Sequence, residues 1–235
     1  RAESGKSHIT ANLATILAAA GQRVAVIDSD FTPPSIQQLF GVNAQRLRYS
    51  LNDFLWGKCT LEQTALRITP NIPMSIKGEL FLIPFVIPAE PVEYDIDLLS
   101  DSFDSLIEQL QLDVLLIDTK YGVHSDSLPT IAFSDTQLLI LRLSEEYFEG
   151  TGIAIDVADQ LGIAEMVLLI NQVPDHYDFQ QVKHYVEQTF KRPVVAVLPA
   201  IADLADVNHM NVFVIEHPNH PLTMLLTHVA ATLTA

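Results

Sequence analysis

Cysteine is almost absent. Cys59 is the single thiol in the chain, so neither an internal disulfide nor a multi-cysteine zinc or iron–sulfur site can form within one copy. Basic residues are also scarce: 13 Lys and Arg stand against 29 Asp and Glu, a formal charge of −16. A field of that sign repels nucleic-acid backbones and anionic lipid. No local basic patch offsets it, so direct DNA or membrane binding is not supported. No apolar run reaches the ~18–20 residues that span a bilayer, and Arg1–His8 is polar. Neither a secretory signal nor a transmembrane helix is expected, and the cytoplasm fits best. Internal repeats and low-complexity tracts are missing too. What remains is 49% hydrophobic and 18% charged over 235 residues, the balance of a packed globular protein.

Apolar, β-branched runs recur at Arg23–Ile27, Leu80–Ile87, Val114–Ile117, Gln137–Leu143, Met166–Ile170 and Val194–Leu198. Helical spacing occupies Ser7–Ala20, Ile96–Leu110, Gly152–Leu161 and Phe179–Phe190 between them. This alternation predicts an α/β fold with a mostly parallel sheet covered by helices on both faces. The near-continuous apolarity of DVLLID and MVLLIN predicts that their strands are central. Gly21 and Gly162 read as helix stops. The proline-bearing stretches around Pro70 and Pro84–Pro91 are too short to separate domains, so residues 1–235 read as one domain. The final segment carries Leu222, Leu225, Leu226, Val229 and Leu233 as a helical stripe without Lys or Arg; it is expected to pack on the domain.

The opening RAESGKS runs directly into a helical segment. A Gly-Lys-Ser turn at a helix start concentrates backbone N–H groups and positive potential, with a lysine for β- and γ-phosphates and a hydroxyl for Mg²⁺. Lys6 and Ser7 are the candidates for those roles, with Ser4, Gly5 and His8 beside them as further nucleotide-binding candidates. The full motif needs a glycine one place before Arg1 and a strand feeding the loop, so the first strand and the start of the loop are expected to lie upstream. The alternative is a chance Gly-Lys-Ser opening a helix. Asp28 and Asp30 end one apolar strand and Asp118 ends another. Carboxylates there line the ligand crevice of an open parallel sheet, where they can hold Mg²⁺ through water or orient an attacking water. The competing role for each is a strand cap or turn.

Taken together, GKSHITANLATILAAAGQRVAVIDSD, YSLNDFLWGKCTLEQTA, LLIDTKYGVHSDSL, GTGIAIDVADQLGI, VLLINQVP and PVVAVLP resemble the ParA/MinD family of deviant-Walker P-loop ATPases in order and spacing. The resemblance implies a three-layer P-loop NTPase fold with a mostly parallel central sheet, binding ATP or ADP with Mg²⁺ and hydrolysing ATP slowly. It implies that Lys6, Asp30 and Asp118 are catalytic, with Asp30 positioning the water. Ser7 and Asp118 then serve the metal, Asn171 reads the adenine edge and Pro199 leads into an adenine-flanking loop. For Asn171 the competing role is satisfying the backbone. It further implies an ATP-dependent homodimer that positions or partitions a cargo, reset by an activating or cargo-adaptor protein, with Phe31–Phe40 and Lys120–Ser127 as switch loops.

Three departures stand against that pattern. Arg1 replaces the family lysine that reaches the second copy's nucleotide, and its planar fork differs from a point charge. Ala2 and Glu3 replace glycines, which opens the alternative of a catalytically impaired nucleotide-binding scaffold or adaptor. Lys120 and Tyr121 follow Asp118 where the family has prolines and glycine; Lys120 is either a phosphate contact or simply solvated. The segment after Asp30 also echoes bacterial tyrosine kinases, but no tyrosine follows Tyr185. His209, His217, His220 and His228 match no compact ligand spacing.

Overall fold

The strand RVAVID, β1 (Arg23–Asp28), has apolar side chains throughout its interior, and Val24 to Asp28 are fully buried. In this computed structural model, which describes residues 4–29, 36–43, 45, 47–86, 97–119, 128–163, 165–200 and 212–234, β1 is an inner strand of a sheet. The antiparallel β2 (Leu66–Arg67) pairs with β3 (Glu79–Ile83), and β3 and β4 (Val114–Asp118) flank β1 in parallel. The order is β2-β3-β1-β4.

The described residues divide into two compact units, one carrying 7–119 with 212–220 and the other 4–6, 128–200 and 221–234. The first unit holds this sheet. Its longest helix, α1 (Lys6–Ala20), buries Ile9, Leu13 and Leu17 together with Ala11, Ala14 and Ala18. Short helices α2 (Ile36–Leu39), α3 (Leu51–Leu55) and α4 (Leu61–Thr64) follow β1. The helix expected over Ile96–Leu110 is two, α5 (Asp97–Asp101) and α6 (Phe103–Leu110), separated at Ser102, whose hydroxyl bonds back to the Leu98 carbonyl. Arg23 ties α6 to the sheet: its N–H donates to Asp113 at 2.8 Å and its guanidinium Nε to the Leu110 carbonyl at 2.9 Å, at the helix end where cations are favoured.

Two buried asparagines fasten this unit. Asn12 donates to the His8 carbonyl at 2.7 Å and accepts the Val214 N–H at 2.8 Å, tying α10 (Phe213–Glu216) to α1. Asn52 brackets Val86, accepting its N–H at 2.8 Å and donating to its carbonyl at 2.6 Å, as a neighbouring strand would. The strand expected over Leu80–Ile87 ends at Ile83, before Pro84, which has no ladder donor.

A capping box opens α3. Ser50 donates to Asp53 through its N–H at 3.0 Å and its hydroxyl at 2.9 Å. Burial pushes the Asp53 carboxyl up, but the Ser50 bonds and Lys58 outweigh it and hold it below its ordinary value. A carboxyl depressed in the folded state contributes stability above its unfolded pKa and loses it as pH falls through the folded one. Asp53→Ala is therefore expected to cost about 0.5–1 kcal/mol at neutral pH, with the gap closing on acidification; urea titrations at both pH values measure it.

In the second unit, β5 (Thr136–Leu141), β6 (Glu165–Val173) and β7 (Val194–Pro199) form an all-parallel sheet with β6 in the middle. Leu141, Leu168, Ile170 and Val194 meet Tyr147 of α8 (Glu145–Leu161) and Val182 and Val186 of α9 (Phe179–Phe190) in one core. The unit also contains α7 (Leu128–Phe133). Helix α8 begins seven residues before the expected Gly152 because Ser144, in extended conformation, precedes a first turn bearing Glu145 and Glu146. The terminal α11 (Pro221–Leu233) packs against β7 and buries Leu222, Leu226 and Val229, whereas Leu225 faces outward.

MVLLIN is central, as its apolarity implies. Among the described residues DVLLID forms β4, which pairs with β1, and its Val114–Ile117 are half-buried.

Candidate functional site

In the first unit the carboxyl ends of β1 and β4 bring Asp28 and Asp118 side by side as register partners, both buried. The two carboxylates have different surroundings. Asp118 accepts the Ser7 hydroxyl at 2.5 Å, and Thr10 reaches its other oxygen at 3.5 Å. Ser7 and Thr10 lie three residues apart on α1 and so share a face. Asp28 instead accepts the Ile36 N–H at 3.3 Å, holding the start of α2, as a turn-forming aspartate does. Ser29 fixes the strand ends together by donating to the Asp118 carbonyl through both its N–H, at 3.0 Å, and its hydroxyl, at 2.7 Å. Sequence reasoning missed Thr10 and Ser29. Thr10 carried a usable signal, the spacing from Ser7; Ser29 carried none.

In the second unit Ser4 and Gly5 precede Lys6, the first residue of α1. Ser4 is buried, and its hydroxyl has no hydrogen-bond partner among the described residues. Gly5 has φ +84°, which favours glycine, and a Cβ there would lie 2.6 Å from Asn171 Nδ2, so any other residue would also displace that amide. Asn171 donates to the Ser4 carbonyl at 2.8 Å and accepts the Gln172 N–H at 2.9 Å. These are backbone-satisfying bonds. Pro199 ends β7 as the register partner of Val173, and Ala200 donates to the Val173 carbonyl. His8 is exposed, and its carbonyl accepts from Asn12. Arg1, Asp30, Lys120 and His209, with most of the two expected switch loops, lie outside the described residues.

His217 and His220 flank the Phe213 ring at 4.7 and 5.1 Å. Among the described residues no group of three or more His, Cys, Asp or Glu side chains is placed to hold a metal, and no helix is long and apolar enough to cross a membrane. A metal at Ser7 and Asp118 would draw on a hydroxyl and a carboxylate, both hard oxygen donors of the kind Mg²⁺ takes. The buried, unpartnered Ser4 hydroxyl and the glycine-shaped turn before α1 suit a close anionic ligand.

Mostly parallel strands ending in carboxylates, with a Gly-Lys-Ser turn opening the helix that reaches one of them, define an α/β protein of the P-loop type. Residues 2–212 match the model of the CobQ/CobB/MinD/ParA nucleotide binding domain, and the chain belongs to that family. The match runs through residues of both units. The chain is 26% identical over 231 residues to an uncharacterized ATP-binding protein of Methanocaldococcus jannaschii, covering 98% of this chain and 83% of that one. It is 28% identical over 176 residues to the tyrosine-protein kinase ptk of Acinetobacter johnsonii, covering 73% of this chain but only 22% of the kinase. The echo of tyrosine kinases is thus a likeness to one part of a longer protein. Among solved structures, the septum site-determining protein MinD of Pyrococcus horikoshii, complexed with Mg-ADP, superposes with TM-score 0.79 at 19% identity, covering all of this chain and 95% of that one. At that identity the likeness shows the fold.

Proposed function

We propose that the protein is an ATP-binding, Mg²⁺-dependent ATPase that acts as a dimerisation switch for positioning or partitioning a cargo. The observation that carries this reading is the Ser7 hydroxyl held on Asp118 at 2.5 Å, across 111 residues of sequence, immediately after Lys6. Ser7 and Asp118 are the groups to hold Mg²⁺, the carboxylate through water. When bound, the ion neutralises charge on the β- and γ-phosphate oxygens. Lys6 brings an ammonium to the same oxygens. The loop N–H groups and the start of α1 add positive potential, and Ser4 offers its hydroxyl. Asp30 orients the attacking water, Arg1 reaches the nucleotide of a second copy, and Pro199 flanks the base. Catalysis then consists of positioning and charge stabilisation.

Titration calorimetry with ATP and Mg²⁺ tests the reading. A saturable heat at one site per chain, lost in Lys6→Ala, is expected; a flat trace at millimolar ATP overturns it. Binding without turnover instead supports the impaired scaffold, which Ala2 and Glu3 in place of glycines favour.

A further inference from the structure

The resemblance to the family assigns Asn171 to the base, whereas the bonds it makes lead to the loop. We infer that Asn171 is a positioning residue that fixes the backbone of the phosphate loop, an inference that deepens the nucleotide-binding reading and rests on it. Four observations converge. The carboxamide donates to the Ser4 carbonyl at 2.8 Å, bridging 167 residues of sequence. Its oxygen accepts the N–H of the next residue, Gln172, at 2.9 Å, which locks the orientation of the amide. Gln172 makes that bond from a left-handed backbone, φ +58°, a conformation that a non-glycine residue holds only where its surroundings impose it. The β6–β7 ladder shifts register between Ile170 and Val173, and such irregularities redirect side chains at strand ends.

The end of β6 is thus deformed where it delivers an amide to the loop. Gly5 completes the fit, since a methyl there would collide with the same Nδ2 at 2.6 Å. One N–H of the carboxamide is committed to the loop carbonyl of Ser4 and one lone pair to the Gln172 N–H of its own strand, so the amide joins the loop to β6. Its loss releases the Ser4 carbonyl and, with it, the direction of the N–H groups that follow. Every polyphosphate ligand then suffers alike, whatever base it carries.

The experiment compares ATP with inorganic tripolyphosphate, both with Mg²⁺, on the unmodified protein and on Asn171→Ala. The expected result is an equal loss of affinity for both, roughly three- to tenfold, as for one net hydrogen bond. Weaker ATP binding with tripolyphosphate unchanged would make Asn171 a base reader and overturn the inference. An arm without ligand separates failure of the tether from failure of the nucleotide reading. Asn171→Asp keeps the shape and the acceptor for Gln172 but has no donor for Ser4, and it should speed amide hydrogen exchange at Gly5 and Lys6 severalfold. Unchanged exchange there overturns the tether even if ATP binds. Faster exchange in a protein that binds neither ligand upholds the tether and refutes the nucleotide site. If Asn171→Ala does not fold, the Asp variant decides.

Discussion

Gly78→Ala is expected to cost about 3 kcal/mol or more, or to prevent folding, because the added methyl has nowhere to go. A Cβ at Gly78 would fall on the Gln22 carbonyl oxygen and lie 2.6 and 2.7 Å from the carbonyl carbons of Gly21 and Gln22. These are backbone atoms and cannot rotate aside. The approach is fixed from both chains: the Gly78 N–H donates to the Ala18 carbonyl at 2.9 Å, and the Glu79 N–H to the Gln22 carbonyl at 3.1 Å. The junction joins the end of α1 to the start of the β1–β3 ladder, so yielding there would unpair the buried sheet. Gly152→Ala, in the interior of α8 with open space around its Cβ, is the matched control and is expected to gain about 0.5–1 kcal/mol. Urea denaturation of both variants measures the contrast, and a Gly78→Ala protein as stable as the parent would refute the packing argument.

Asp118→Asn is expected to move two properties in opposite directions. Asn keeps the shape and an acceptor for the Ser7 hydroxyl, but it removes one of two buried carboxylates held as register partners. Two buried carboxyls this close oppose the ionisation of both, a cost that Asn does not carry, so the ligand-free protein should melt at the same temperature or higher. The Mg²⁺ needed to support ATP binding should rise 10–100-fold, the usual range when a carboxylate serving a metal is lost. Calorimetric Mg²⁺ titrations at fixed ATP and thermal melts provide the two readings. A lower melting temperature with unchanged Mg²⁺ dependence would make Asp118 a structural residue.

These two positions also mark how far the sequence could be read. The strand-end place of Asp118 was legible because it is a local signal, an aspartate closing an apolar run. The alternation of strand-sized and helix-sized runs likewise yielded the parallel α/β architecture. Gly78 was invisible because its requirement comes from Gln22, a contact that no periodicity encodes. The same holds for Asn12 and Asn52, whose amides stand in for backbone partners far away in sequence, and for Ser102, where a continuous helical pattern hides a break. Asn171 shows the intermediate case. Its place at a strand end was legible, but which group its amide meets depends on a left-handed Gln172, and nothing in VLLINQVP announces that conformation.

The pairing of β1 also has a consequence for synthesis. Its neighbours come late: β3 starts at Glu79, and the contacts of Arg23 with the approach to β4 span 90 residues. At translation rates of roughly 5–20 residues per second, RVAVID leaves the ribosome several seconds before the segment that covers its second side. During that interval an apolar, uncharged run between Arg23 and Asp28 is open to pairing with any extended chain nearby. Long-range parallel pairing is also slow to form once both strands exist. Slowing translation between residues 28 and 114 should lengthen that exposure and lower the soluble fraction.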